Sequence, residues 1–395
     1  MSYNQDAIVI VAATRTPIGG LMGVLSEVPS PQLGATAIKA AVERSGLTTS
    51  EIDQVIMGCV LAGGLGQAPA RQAALGAGLA QSTACTTVNK MCGSGMKAVM
   101  DAHDQIKAGT STIMVAGGME NMSRSPYLLP KVRSGMRMGH GEVLDSMFLD
   151  GLEDAYEGGL MGAFAQATAD RFNVSRAAMD DFAIESLRRT NQAINEGWFD
   201  NEIVPVTLKT RKGAISVSTD EQPSQASPDK IPQLRPAFAK DGTITAANSS
   251  SISDGAAALI LMPETEAKAR GLTPLARIVG HMTHAQTPAE FSIAPISAIQ
   301  KLLDKVTWSS DAVDLYEINE AFAVVTMLVI QKLALDPAKV NVHGGACALG
   351  HPIGCSGARV LVTLIYALKR LGKQRGVASL CIGGGEATAI AIEIM

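Results

Sequence analysis

The sequence predicts an α/β protein built from two similar halves. Three observations carry that prediction. Short β-branched runs alternate with helical patterns along most of the chain, which reads as a mainly parallel sheet with crossover helices. Three motifs recur about 260 residues apart, too long a period for a solenoid and right for a duplicated module. Apolar residues make up 47% of the 395 residues and charged ones 18%, enough to bury large cores.

The elements follow in order. Ala7–Ala12 reads as a buried strand. Ser30-Pro31 offers an N-cap with Pro at the first helical position, and Gly46 ends that helix. Thr48 and Glu51 have capping-box spacing ahead of the strand Gln54–Met57. A Gly-rich turn, a helix opening near Pro69 and the strand Ala84–Asn89 come next. That strand runs into Met91-Cys92-Gly93-Ser94-Gly95 and a helix with Met96, Val99, Met100, His103 and Ile106 on one face. The strand Thr112–Ala116 is expected to break at Gly117-Gly118. From Met119 to Asp241 the pattern changes: one strong helix runs from Ser175 to about Glu196, and Ser216–Pro236 reads as a polar, exposed loop. This segment reads as an insertion, and its 14 Lys/Arg against 18 Asp/Glu provide no bulk positive field for a phosphate-rich ligand.

The second half repeats the first. Val313–Asn319 echoes Ile52–Gly58, Cys355-Ser-Gly357 opens a helix as Gly93-Ser-Gly95 does, and Cys381-Ile-Gly-Gly-Gly-Glu386 matches Val115-Ala-Gly-Gly-Met-Glu120. Copies related by a pseudo-twofold axis would bring equivalent strand ends to one shared site. The expected organisation is residues 1–118 with 241–270 as the first half, 119–240 as the inserted loop domain and 271–395 as the second half.

Several function classes are disfavoured. A net charge of −4 argues against a dedicated nucleic-acid binder. No apolar run approaches the about 20 residues that span a bilayer, and the N-terminus lacks the basic region of a signal peptide, so no membrane partner is expected. Six cysteines without a C-x-x-C pair fit a reducing cytoplasm. His281-x-x-His284 has the spacing of two metal ligands but no accompanying carboxylate or thiol in sequence, so no metal is expected. The glycine runs lack the G-x-G-x-x-G context, and no G-x-S-x-G elbow occurs.

Four positions carry chemistry, each with a plainer reading beside it. Cys92 stands at a strand-to-helix junction, where free N–H groups and the helix dipole favour thiolate; it is otherwise a small buried residue. His351, in Gly350-His-Pro-Ile-Gly354, is held extended by the following Pro, as a catalytic or as a structural histidine. Cys381 ends a strand before Gly383-Gly384-Gly385, whose N–H groups suit an oxyanion or simply a tight turn. Asn319 precedes Glu-Ala-Phe322 at a helix start, where the plain reading is an N-cap.

Taken together, these motifs resemble one family. Asn89-Lys-Met-Cys92-Gly-Ser-Gly, Asn319-Glu-Ala-Phe322, Gly350-His-Pro-Ile-Gly354 and Cys381-Ile-Gly-Gly-Gly385 strongly resemble the thiolases, in family order and over nearly the whole chain. Val115–Ser123 and Leu234-Arg-Pro-Ala-Phe238 are similar to that family as well. The resemblance implies thiolase-like duplicated α/β halves with mixed sheets and an inserted loop domain. It implies reversible Claisen condensation of two acetyl-CoA to acetoacetyl-CoA and coenzyme A, ping-pong through acetyl-Cys92. His351 then matches the residue that activates the thiol and helps hold an oxyanion, Cys381 the α-proton acid/base, and Asn319 the holder of an oxyanion-hole water. The N–H groups of Cys92 and Gly383 match a second oxyanion hole.

On the substrate side, the resemblance assigns Met161, Phe238, Ala246, Ser250, Phe291, Ala321 and Phe322 to coenzyme A and the acyl group. Coenzyme A enters as substrate and product, no cofactor is implied, and the family is dimeric or tetrameric. Leu160 stands where His is common, the segment Phe291–Pro295 replaces Met-Gly-Thr-Gly-Pro, His343 replaces Asn, Ser251 replaces Gly, and Ser224 stands where a base near the adenine is usual. Glu386 falls close in sequence to Cys381, where its charge would raise that thiol unless its side chain points away. The nearest alternative is a broader 3-ketoacyl-CoA thiolase of fatty-acid degradation. A decarboxylating ketosynthase, which typically uses one Cys and two His, fits Asn319 and Cys381 poorly, and a non-catalytic acyl-CoA-binding scaffold would need none of the four positions.

Overall fold

The computed structural model describes residues 6–211 and 213–395; residues 1–5 of the expected first half and the insertion's residue 212 lie outside them. The first half comprises β1 (Ile8–Arg15), β2 (Gly19–Gly20), α1 (Ser30–Ser45), β3 (Gln54–Gly58), α2 (Pro69–Gly76), β4 (Ala84–Val88), α3 (Ser94–Lys107) and β5 (Met114–Asn121). Then come β6 (Tyr127–Leu128), β7 (Leu144–Asp145), α4 (Met161–Arg171), α5 (Arg176–Asn195), β8 (Val206–Thr210) and β9 (Gly213–Val217). The chain re-enters the body as β10 (Ser253–Pro263) and α6 (Glu264–Ala269). It ends with β11 (Ala276–Ala285), α7 (Ala294–Val306), β12 (Leu315–Ile318), α8 (Ala323–Lys332), α9 (Ala346–Leu349), α10 (Ile353–Leu371), β13 (Arg375–Ile382) and β14 (Glu386–Ile394).

One ten-stranded sheet runs β12-β13-β14-β11-β1-β10-β5-β3-β4, with β2 paired to β10. The halves join through β1 and β11 over only Ile8↔Ile278, Val9↔Arg277 and Ile10↔Ala276. The mainly parallel sheet that the alternation predicts is corrected here. Among the described residues, parallel ladders form only for β3–β4, β3–β5 and β12–β13, where helices carry the chain back across the sheet. Where the chain returns from the insertion as β10, or turns through residues 383–385 into β14, pairing is antiparallel.

The helices make layers. Helices α1 and α2 cover the outer face of the first half, and α7 covers that of the second. Helices α3 and α10, the equivalent helices of the two copies, lie between and share one core: Met96, Val99 and Ile106 pack with Val360, Leu361, Leu364 and Leu368. Their backbones almost touch. A Cβ on Gly95 would lie 2.8 Å from the Ala358 nitrogen, and one on Gly357 would lie 2.4 Å from the Met96 nitrogen. Gly-Ser-Gly and its repeat therefore set how closely the two halves approach.

Local expectations hold with a few corrections. Gly46 ends α1 in the left-handed conformation (φ 75°), Thr48 and Glu51 form the capping box, and Ser175 caps α5 by accepting from the Ala178 N–H at 3.2 Å. Helix α1, however, begins at Ser30 with Pro29 as its cap, and the Ser30 hydroxyl is buried without a partner. Strand β5 does not break at Gly117-Gly118 but runs through them. These glycines serve close packing: a Cβ on either would lie 2.0 Å from a carbonyl oxygen, Ala257 for Gly117 and Gly354 for Gly118. The expected exposed loop Ser216–Pro236 is anchored inward, because buried Arg15 takes both carboxylate oxygens of Asp220 (2.7 and 3.0 Å) and one of Glu202 (2.6 Å). Burying a guanidinium requires such partners. Among the described residues, no helix is long and apolar enough to cross a membrane.

Candidate active site

Cys92 sits in a turn between β4 and α3 that hydrogen bonds hold shut. The Asn89 side-chain oxygen accepts from the Met91 N–H at 2.9 Å, the Lys90 N–H donates to Ser94 Oγ at 2.8 Å, and that hydroxyl donates to the Met91 carbonyl at 2.6 Å. Met91 takes a left-handed φ of 47°, an unusual strain for a residue with a side chain, immediately before the thiol. The N–H groups of Gly383 and of Cys92 itself lie near the sulfur and favour its thiolate. Burial nonetheless pushes the thiol up to about 11, so the resting group is a thiol that needs a base.

Gly383 comes from the other half, in the turn between β13 and β14. Gly384 and Gly385 both have positive φ, and a Cβ on Gly385 would lie 2.5 Å from the Gln286 carbonyl oxygen, so the turn requires glycine there. Cys381 is buried at the end of β13. Burial, then the nearby charge of Cys92, holds its thiol well above the usual range. The two thiols thus sense each other across the joint of the halves.

His351 precedes α10. Its N–H reaches the Ser251 carbonyl (3.1 Å) and Ser253 Oγ (3.2 Å). Nδ1 lies 2.5 Å from Ser356 Oγ, which in turn donates to the Pro352 carbonyl at 3.0 Å. Both bonds are satisfied at once when Nδ1 carries the proton, which leaves Nε2 as a lone pair. Nε2 is buried without a partner. Burial, with the charge of Arg359 second, pushes the ring down to about 3, so it is neutral at neutral pH.

Asn319, at the end of β12, corrects the N-cap reading: α8 starts at Ala323 with Phe322 as its cap. The Asn319 side-chain oxygen instead accepts from Arg359 at 3.3 Å, and its Nδ2 is buried without a partner. Arg359, from α10, is itself held by Glu317 at 3.0 Å.

Five of the seven residues expected on the substrate side gather in one apolar cluster around Cys381. It holds Phe291, Ala321 and Phe322 with Met161 and Phe238 at its edge. Phe322 takes Phe238 on one side and Phe291 on another, both edge-on with ring centroids 6.2 Å apart. Met161 Sδ would lie 3.4 Å from a Cβ on Gly383, which links the cluster to the thiol. Ser250 braces the Asn319–Phe322 loop, since both its N–H and its hydroxyl donate to the Ala321 carbonyl at 2.9 Å. Ala246 lies exposed, outside this cluster.

Several departures resolve. Glu386 pairs with Lys90, and burial and Cys92 rather than Glu386 set the state of Cys381. Buried His343 accepts from Arg370 at 2.9 Å and packs against Trp198 and Phe199. Sequence reasoning missed Arg359, Ser356 and Glu120. Glu120 accepts from the N–H groups of Val60 (2.9 Å), Leu61 (3.1 Å) and Gly354 (2.9 Å), and so pins the start of α10 to the first half. Arg359 was legible as a lone cation in the apolar run Ile353–Leu368.

Comparison with known proteins settles the family. A family model described as Thiolase, N-terminal domain matches residues 8–265, and one described as Thiolase, C-terminal domain matches residues 272–394. The chain belongs to the thiolase family. Among its relatives is the acetyl-CoA acetyltransferase of Cupriavidus necator, 47% identical over 98% of this chain and 99% of that one. A cytosolic acetyl-CoA acetyltransferase of Mus musculus is 47% identical over the whole of both chains. The crystal structure of the Bacillus anthracis acetyl-CoA acetyltransferase superposes with a TM-score of 0.97 at 43% identity, covering both chains fully. The layered arrangement of α3 and α10 between the halves is thus a thiolase fold.

Proposed function

We propose that this thiolase is an acetyl-CoA C-acetyltransferase, which condenses two acetyl-CoA to acetoacetyl-CoA and coenzyme A and runs the thiolytic reverse. The observation that carries the reading is Gly383 of the second half beside Cys92 of the first, which supports a pair of N–H donors for a thioester oxyanion. The full-length similarity to acetyl-CoA acetyltransferases supports it.

The first step forms acetyl-Cys92. The His351 Nε2 lone pair takes the Cys92 proton as the sulfur attacks the acetyl carbonyl, and the N–H groups of Cys92 and Gly383 hold the resulting oxyanion. The adduct collapses, the carbon–sulfur bond to coenzyme A breaks, and the Cys381 thiol protonates the departing thiolate. Cys381 is left as a thiolate, with a proton on His351.

In the second step Cys381 removes an α-proton from the next acetyl-CoA. The enolate oxygen accepts from the Nε2–H of His351 and from a water held by the Asn319 Nδ2. The enolate carbon attacks acetyl-Cys92, the new carbon–carbon bond forms, and the Cys92 thiolate leaves. His351 then returns its Nε2 proton to the Cys92 thiolate, which restores both thiols and the neutral imidazole, so the protons balance over the cycle. The burial that raises both thiols and lowers the imidazole keeps the empty site neutral, so charge separates only when a substrate oxygen is there to take it.

Phe291 packed edge-on to Phe322 supports a short acyl pocket. Thiolysis by coenzyme A compares acetoacetyl-CoA with a medium-chain 3-ketoacyl-CoA. Preference for acetoacetyl-CoA is expected; equal or faster use of the longer chain would move the chain to the broader thiolases. The reading extends to a cytoplasmic homo-oligomer, a dimer or tetramer. The mouse relative's name supports the first, and the second is supported by the open edge at β4 and by exposed Leu21, Met22, Tyr127 and Met138.

A further inference from the structure

The His281-x-x-His284 spacing does not make a metal site, because residues three apart on β11 face opposite sides of the sheet. His284 goes to Gln286 and Lys301. His281 instead meets residues from α3. Its Nε2 lies 2.9 Å from Asp104 Oδ1, and the same oxygen lies 2.9 Å from His103 Nδ1. The two rings stand edge to face with centroids 5.0 Å apart.

We propose that His103 Nδ1, His281 Nε2 and an Asp104 oxygen form a binding site for a divalent transition-metal cation of the zinc class. The three atoms all lie within 4.8 Å of one another. Tetrahedral ligands on bonds of about 2.0–2.2 Å stand about 3.4 Å apart, so a small opening of the two short contacts suffices. Both imidazoles are largely buried, with side chains 14% and 13% exposed, and they sit on a helix and a strand of the rigid core. Asp104 is half exposed and faces a cavity of about 550 Å³, which leaves room for a water as fourth ligand.

The cations beside the site have other partners. Lys107 donates to the Asp6 carbonyl, Lys305 to the His281 carbonyl at 3.0 Å, and Arg277 pairs with Glu264 at 2.9 Å. Two imidazoles and a carboxylate are a nitrogen–oxygen donor set that favours zinc, nickel or copper over magnesium or calcium. Bound metal would tie α3 to β11, and with them the first half to the second.

The test titrates Zn²⁺ alone into the chelator-treated full chain by calorimetry. Melting temperature is followed in parallel, and Co²⁺ serves as the spectroscopic probe. Wild type should bind one equivalent per chain in the micromolar range and melt higher, with a cobalt spectrum free of thiolate charge transfer. His103→Gln and His281→Gln should each weaken binding more than ~10-fold, while His284→Gln should bind as wild type does. Unaltered thiolysis by the metal-free variants confirms that they fold. Binding that both His variants retain, a thiolate charge-transfer band, or no binding at millimolar zinc would each overturn the proposal, the last leaving only a His–Asp–His hydrogen-bonded bridge.

Discussion

Arg359 donates to the side-chain oxygen of Asn319 at 3.3 Å, and this bond decides which way the amide faces. A guanidinium has no acceptor, so the oxygen must turn toward it and the Nδ2 hydrogens must turn away. The Nδ2 is buried and unpartnered, the donor that the proposed mechanism assigns to the enolate's water.

Arg359→Lys keeps the charge opposite Glu317 but loses the planar fork that orients Asn319. Condensation kcat should fall by about 10²–10³, as for loss of one oxyanion donor. The effect should be strongly non-additive with Asn319→Ala, because both act through the same amide. Steady-state kinetics of the two singles and the double check this; additive losses would make Arg359 purely structural.

Cys92→Ala should abolish acetyl-enzyme formation, read by intact-protein mass after incubation with acetyl-CoA. Cys381→Ala should still acquire one acetyl group, since a coenzyme thiolate leaves without much help. Carbon–carbon bond formation should then stop. Condensation at near wild-type rate in the second variant would require a different base.

Acid sensitivity follows from two buried histidines. His343 and His351 are both pushed down to about 3, in each case by burial first, while unfolded histidine titrates near 6.5. Their contribution is present in full above pH 6.5 and is lost as pH falls toward 3, because only the unfolded chain takes up those protons there. Each adds a slope of about 1.4 kcal/mol per pH unit in that window. Glu120, pushed up to about 7 by burial, works the other way: its contribution is present at low pH and lost as pH rises from 4.5 through 7. His343→Asn isolates one histidine. Urea midpoints between pH 6.5 and 4 should show a slope shallower by about one proton, with thiolysis activity retained.

Gly95→Ala or Gly357→Ala would drive a methyl into the facing helix backbone at 2.8 or 2.4 Å. Neither backbone is free to move, so a loss of about 1–3 kcal/mol or more is expected. Calorimetric melting checks it. Activity should fall with stability, because these helices directly follow Cys92 and His351.

Much of the fold was legible because repetition amplifies weak local signals. Cys355-Ser-Gly357 would have been one more glycine turn had Gly93-Ser-Gly95 not preceded it. Cys92 and Gly383, about 290 residues apart in sequence, are paired in the sequence only through the family resemblance, and in the structure the Gly383 N–H lies near enough to favour the Cys92 thiolate. What sequence could not show were contacts made across the fold by residues of ordinary appearance. Gly117-Gly118 looked like a turn because spacing cannot distinguish a glycine that bends the chain from one that admits a neighbour. Asp220 looked exposed because its partner, Arg15, is remote in sequence. Asn319 looked like a cap because a helix does start soon after it, and only the position of Arg359 shows where its amide goes.

The pairing of β1 has a further consequence, for the order in which the molecule is made. All eight residues of Ile8–Arg15 are buried, yet both neighbours of this strand, β10 and β11, come from the far part of the chain, with Ile8 opposite Pro263 and Ile278. At about 5–20 residues per second, roughly 10–50 s of synthesis separate this strand from its first partner. Through that interval IVIVAATR emerges as an unpaired, β-prone segment, a natural client for a chaperone at the ribosome exit. Nascent chains halted short of β10 should therefore be digested readily by protease across this strand, and those extended past β11 should not.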